Sequence, residues 1–127
     1  MGFIGRISKF ESADKNTLFV RVHSRFDFRL QREFRAACHV RRYRRYVIDL
    51  GGIDCIDSAA LGMLMLLYRH AGEDRRAIAL IQCGSEVLEI LRIARFGQFF
   101  EIAGLDAPGE RSKIGRFVSP FEALCVL

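Results

Sequence analysis

The 127-residue chain lacks the cysteine spacing of a metal site or a disulfide framework. Cys38, Cys55, Cys83 and Cys125 lie far apart, no CxxC pair occurs, and no histidine cluster accompanies them. The pattern fits neither zinc nor a secreted, disulfide-stapled fold, and a reducing cytoplasm is the expected home. Long apolar runs are lacking as well. The longest, Ala59 to Leu67, falls far below the roughly 20 residues that span a bilayer. The opening MGFIGRISKFE has neither an apolar stretch nor a cleavage site, so no membrane insertion is expected. There is no G-x-S-x-G elbow and no phosphate-cradling glycine loop, and His23, His39 and His70 stand in unrelated settings. A serine hydrolase would therefore lack its base and orienting acid. A receiver-like phosphoacceptor at Asp57 would lack its acidic metal cluster and its late lysine, because the single late lysine, Lys113, falls in a polar stretch. No enzymatic activity, metal or cofactor is expected.

What is present is enough for one domain. Half of the residues are apolar, which supports a real core in a chain too short for two ordinary domains. The formal charge is +5, carried overwhelmingly by arginine and densest at Arg41, Arg42, Arg44 and Arg45. That cluster would close a predicted helix, where cations complement the exposed carbonyls. No aromatic stacking platform or recognition motif goes with it, so direct nucleic-acid binding is not expected.

Thr17 to His23 is rich in branched and aromatic residues and predicts a strand, paired with an earlier one near Phe3 to Phe10 as an N-terminal hairpin. Leu30 to Tyr43 repeats apolar residues at three and four and predicts an amphipathic helix. Tyr46 to Leu50, bounded by Gly51 and Gly52, reads as a buried strand. A second helix is predicted over Ser58 to His70 and another buried strand over Ala77 to Ile81. Ser85 is expected to cap a third helix with an apolar stripe of Val87, Leu88, Leu91 and Ala94, and Phe99 to Ile102 to form a last strand. The expected fold is α/β: a mixed sheet of four to five strands with helices packed against it. Residues 104–127 read as a polar loop followed by a short helix that opens at Ser119-Pro120.

Asp54 to Tyr68 is the most informative stretch. A strand ends, Asp57 precedes Ser58, and an almost wholly apolar helix begins. Taken alone, Ser58 is an N-cap. A helix lying on a sheet should carry a polar outer face, yet Ala59 to Leu67 has no polar side chain, so the outer face is expected to be apolar too. Ala59, Ala60 and Gly62 would admit another backbone closely, and Met63 and Leu67 would offer adaptable contact, to a regulatory partner, to the C-terminal segment of the chain or to a second copy in a homodimer.

From Phe26 to Ile102 the chain resembles the STAS family, named for sulphate transporters and anti-sigma factor antagonists. The likeness rests on Arg25-Phe-Asp27, Phe34-Arg35, Tyr46-Val-Ile-Asp-Leu50, Ile56-Asp-Ser-Ala-Ala-Leu-Gly-Met-Leu64, Gly72, and Val87 to Phe100, and it is clearest over 17–103. The free-standing bacterial antagonists of partner-switching systems are the members it is most similar to. The resemblance implies that Ser58 accepts phosphate and that the unphosphorylated form binds an anti-sigma factor or related serine kinase. It further implies that a serine phosphatase resets the switch, and that Asp27, Asp57, Ala59, Ala60, Leu61 and Met63 border the partner. Ala59 and Ala60 stand where the family often has Ser or Thr followed by Gly. A STAS module that only binds, as in transporter-associated or stressosome-like assemblies, is the rival within the same fold.

Overall fold

The run that begins at Thr17 alternates between buried and more exposed positions over Thr17–Phe26, burying Leu18, Val20 and Val22, as a strand with one face on a core must. The computed structural model describes residues 2–4 and 6–104, and in it this strand, β3, lies inside a six-stranded sheet. Gly2–Ile4 (β1) and Ile7–Glu11 (β2) precede it; Arg45–Ile56 (β4), Ile78–Cys83 (β5) and Glu101–Gly104 (β6) follow. The spatial order is the chain order. β1, β2 and β3 pair antiparallel, whereas β3 to β6 pair parallel. The expected hairpin is thus β2 with β3. The sheet exceeds the expected four to five strands because β1 folds back on β2 within a stretch that reads as one strand.

Each parallel step needs a crossover, and Gln31–Cys38 (α1), Ser58–His70 (α2) and Ser85–Ile93 (α3) supply them. One core joins Val20, Ile48 and Leu80 of the strands to Phe34 of α1, Leu64 of α2 and Leu91 of α3. All three helices therefore cover the same face. On the other face Val47, Ala79 and Ile81 form a smaller cluster with Phe19 against it, and Phe10 stacks on Phe19 with centroids 4.8 Å apart.

Several boundaries differ from expectation for identifiable reasons. The first helix is shorter: a 3₁₀ turn, Phe28–Leu30, leads into α1, which stops at Cys38 and leaves Val40 73% exposed. Arg41, Arg42 and Arg44 consequently lie in the connection to β4, and Arg45 opens that strand. Ser85 is the first residue of α3, with Gly84 at the cap. Phe99 and Phe100 precede the last strand, pinned by aromatic contacts to Tyr68 and to Phe96 in the 3₁₀ turn Phe96–Gln98. The loop and terminal helix expected beyond Gly104 fall outside the described residues. No helix among the described residues is long and apolar enough to cross a membrane.

Gly51 and Gly52 do not end the fourth strand; they lie inside it. Twelve residues of β4 run beside ten of β3, and two register shifts absorb the difference. A Cβ on Gly52 would lie 2.9 Å from the Val22 carbonyl oxygen, so the two backbones approach this closely only because that position carries none. Gly52→Ala is therefore expected to lower stability by about 1–3 kcal/mol, the usual range for overpacking. A urea midpoint within error of wild type would show that the strands do not need the gap.

Candidate functional site

The parallel ladder between β3 and β4 ends with Phe26 opposite Ile56, and an aspartate follows each. Asp57 has extended backbone angles, its amide donates to the Phe26 carbonyl at 3.2 Å, and its Oδ1 accepts from the Ala60 amide at 2.9 Å. It is the N-cap of α2. Ser58, expected as the cap, is instead the first residue inside the helix and is exposed. A carboxylate already fills the capping role, so the Ser58 hydroxyl is left without a hydrogen-bond partner among the described residues.

Asp27 caps the neighbouring 3₁₀ turn by accepting from the Arg29 amide at 3.0 Å, and it pairs with Arg6 Nη2 at 3.4 Å and Arg29 Nε at 3.8 Å. It does share the sheet edge with Asp57, as expected, but it is buried. Burial works to raise its carboxyl; the Arg29 amide and the Arg6 and Arg29 guanidiniums outweigh that and hold it below the ordinary aspartate value. It braces the edge rather than facing outward. Arg6 also donates its backbone amide to Glu33 Oε2 at 3.2 Å, which ties the first hairpin to α1.

The face of α2 that meets solvent is narrower than its composition implies. Ala60, Met63, Leu64 and Leu67 are buried, and Ala59, Leu61, Met65 and Tyr68 are half-buried. Ser58, Gly62, Leu66 and Arg69 are exposed, spaced by four, four and three, and so form one stripe. Ala60, expected as a contact residue, is fully buried, because the side of the helix against the sheet takes every third or fourth residue from position 60; Met63, also expected there, is 5% exposed. Sequence reasoning missed Leu66 and Arg69, although counting helical turns from Ser58 finds both. A Cβ placed on Gly62 would meet no atom within 4 Å outside its own stretch of helix among the described residues.

No histidine accompanies Ser58. His23 bonds Ser8, Oγ to Nε2 at 2.8 Å, on the other face of the sheet, where Ser8 is buried. His39 and His70 pack together near the C-terminal end of α2 with centroids 4.7 Å apart. Burial, and then the His70 and Arg35 charges, hold His39 below its usual 6.5. Burial and Arg21 lower His23 in the same sense, against the pull of Asp49. What the Ser58 edge offers chemically is an accessible hydroxyl beside a helix N-terminus, with Asp57 and the exposed Asp54 close in sequence.

Residues 10–106 match the family model described as Mlab, STAS domain, and the chain belongs to the STAS family. A STAS-domain containing protein of Pseudomonas aeruginosa (strain UCBPP-PA14) is 42% identical over 99 residues, covering 76% of this chain and 98% of that one. Among solved structures, the unphosphorylated form of the Bacillus anti-sigma factor antagonist SpoIIAA superposes with a TM-score of 0.64 at 14% identity, over 89% of this chain and 99% of its own. An anti-sigma factor antagonist from Mycobacterium paratuberculosis superposes with a TM-score of 0.63 at 16% identity, over 87% and 95%. These two likenesses establish a shared α/β fold.

If Asp57 is the cap, Asp57→Ala should cost about 1 kcal/mol in urea unfolding, while Ser58→Ala should change the midpoint little. The reverse ranking would return the capping role to the serine. The histidines set a pH dependence of known sign. Below about 6.5 the unfolded chain binds protons at His23 and His39 more readily than the folded one. Stability should therefore fall as pH drops from that value through the depressed folded-state values. The urea midpoint should decrease between pH 7.5 and pH 5, and by less in His39→Gln than in wild type; an equal decrease would remove His39 from the account.

Proposed function

We propose that this protein is an anti-sigma factor antagonist of the cytoplasm, a protein-binding switch controlled by phosphate on Ser58. The unphosphorylated form sequesters an anti-sigma factor or anti-sigma serine kinase; phosphorylation of Ser58 releases it, and a serine phosphatase restores binding. The observation that carries this reading is the division of roles at the start of α2: Asp57 holds the helix end, and Ser58, free of that duty, heads the exposed stripe.

The physical consequences agree with a switch. A phosphoserine adds roughly −1.5 to −2 charges at neutral pH. At the first turn of a helix that charge meets free amides and the positive end of the dipole, so α2 tolerates it. A partner packed against Ser58, Ala59 and Gly62 would not, since it would have to bury a hydrated dianion or leave the surface. Asp57 and Asp54 would add to the repulsion of an acidic partner. Gly62 supports the same reading from another direction. Glycine inside a helix costs about 0.5–1 kcal/mol relative to alanine, and nothing among the described residues crowds that position. Close approach by a second protein accounts for it.

The test combines phosphate mapping with binding. The chain is incubated with a candidate cognate kinase and ATP, and the site is mapped by mass spectrometry. Partner capture is then compared for wild type, Ser58→Ala and Ser58→Asp. Acid-stable phosphate on Ser58 is expected, with Ser58→Ala binding as wild type and Ser58→Asp at least tenfold weaker. Equal binding by Ser58→Asp would favour a module that binds without switching. Gly62→Ala should raise stability by about 0.5–1 kcal/mol and still weaken the partner complex; a stabilised variant with unchanged affinity would place the contact elsewhere.

A further inference from the structure

Large apolar side chains rarely stand in water without a reason when they gather on one face. Four are strongly exposed among the described residues: Phe28, Val40, Leu66 and Ile93. The first three border a single surface formed by α1 and α2. Its centre is a cleft of about 210 Å³ floored by Phe34 and Met63 and walled by Arg35, His39, Leu66 and His70. A shallower hollow continues it along the outside of α1, past Phe28, Arg29, Arg32 and Val40, and shares Gln31, Arg35 and His39 with the cleft.

The charge on this surface has one sign. Arg29, Arg32 and Arg35 line it together with two histidines, and no carboxylate does among the described residues. Arg29 leans toward Asp27 at 3.8 Å, whereas Arg32 and Arg35 have no ion-pair partner among the described residues. A concave apolar floor with a cationic rim is complementary to a convex apolar ridge with an anionic flank. The dimensions suit a helix. The eight residues of α1 rise about 12 Å, two turns, which is the span from residue i to i+7 on a helix laid alongside. An anionic lipid surface would also meet the arginines, but a flat interface leaves a cleft unfilled.

We propose that the α1–α2 face receives an acidic amphipathic helix of the partner protein, its apolar ridge seated between Phe34 and Leu66 and its carboxylates on Arg32 and Arg35. This deepens the function proposed above and rests on it for the role of Ser58. The α2 stripe leads from Ser58 through Gly62 to Leu66, so the Leu66 wall of the cleft stands about 12 Å from the phosphoacceptor along the helix axis. A dianion there repels the same carboxylates that the arginines attract.

The test uses the full chain and two synthetic 14-residue helical peptides with leucine at i, i+3 and i+7, one carrying glutamate at its flanks and the other lysine. Titration of ¹⁵N-labelled protein should shift the amides of Gln31, Arg35, His39 and Leu66, with the glutamate peptide binding at least tenfold more tightly than the lysine peptide. Leu66→Asp and the double variant Arg32→Glu with Arg35→Glu, all at exposed positions, should each lose at least tenfold while keeping the wild-type circular dichroism. Equal affinity for the two peptides, or shifts that map away from α1 and α2, would overturn the proposal. So would cosedimentation with phosphatidylglycerol vesicles that the same variants abolish, since that assigns the face to a membrane. Ser58→Asp is a separate arm. Severalfold weaker binding of the glutamate peptide supports both readings; unchanged binding, with Leu66→Asp still defective, keeps the docking face and removes the phosphate switch.

Discussion

The parallel pairing of β3 with β4 is the constraint on which the functional edge depends. It brings Phe26 opposite Ile56 and lets the Asp57 amide bond the Phe26 carbonyl, so two chain segments thirty residues apart leave the sheet side by side. Each is then turned by an aspartate that accepts a backbone hydrogen bond, Asp27 from Arg29 and Asp57 from Ala60. The two carboxylates have parted ways energetically. One is buried and held by two guanidiniums; the other is half-buried and stabilises α2. The ladder reaches that point in register because β4 carries two more residues than β3 and takes them up in its shifts, one beside the sterically required Gly52.

α2 reconciles two demands that conflict in a short amphipathic helix. Its inner face must fill the core, which Ala60, Met63, Leu64 and Leu67 do, and its outer face must stay accessible without exposing a broad apolar band. The conflict is resolved by making the exposed stripe thin and mostly small, Ser58 and Gly62, with Leu66 as its one large apolar member. Membership of the STAS family and the superposition on anti-sigma factor antagonists agree with this layout at the level of fold.

Much of the fold was legible because its strongest signals are local. The boundaries of α2, Ser58 to His70, follow from an unbroken apolar run and a glycine just past its end, Gly72, although the cap itself is Asp57 and not the expected Ser58. The strand at Thr17 follows from its branched and aromatic run. What failed were features fixed by tertiary contact. Gly51-Gly52 looks like a turn in sequence, and only the closeness of the Val22 carbonyl shows why glycine belongs in the strand. The arginines after Cys38 continue a helical composition, but they lie in the connection to β4. Phe99-Phe100 has strand-like chemistry, yet its rings are used on Tyr68 and Phe96. At the site, residue types were readable and phase was not: which of Ala59, Ala60, Leu61 and Met63 meets solvent is decided by how α2 is rotated on the sheet, and periodicity without a fixed origin leaves that open.

The strand order has a bearing on how the molecule is made. Because each strand lies beside its predecessor in the chain, every new unit adds to an edge that already exists, and few contacts must wait for distant sequence. β1 to β4 and α2 are all complete in sequence by His70, so the edge that carries Asp27 and Asp57 is synthesised before β5 and β6. Domains that grow from one end in this way keep few unpaired strands exposed to neighbours during synthesis.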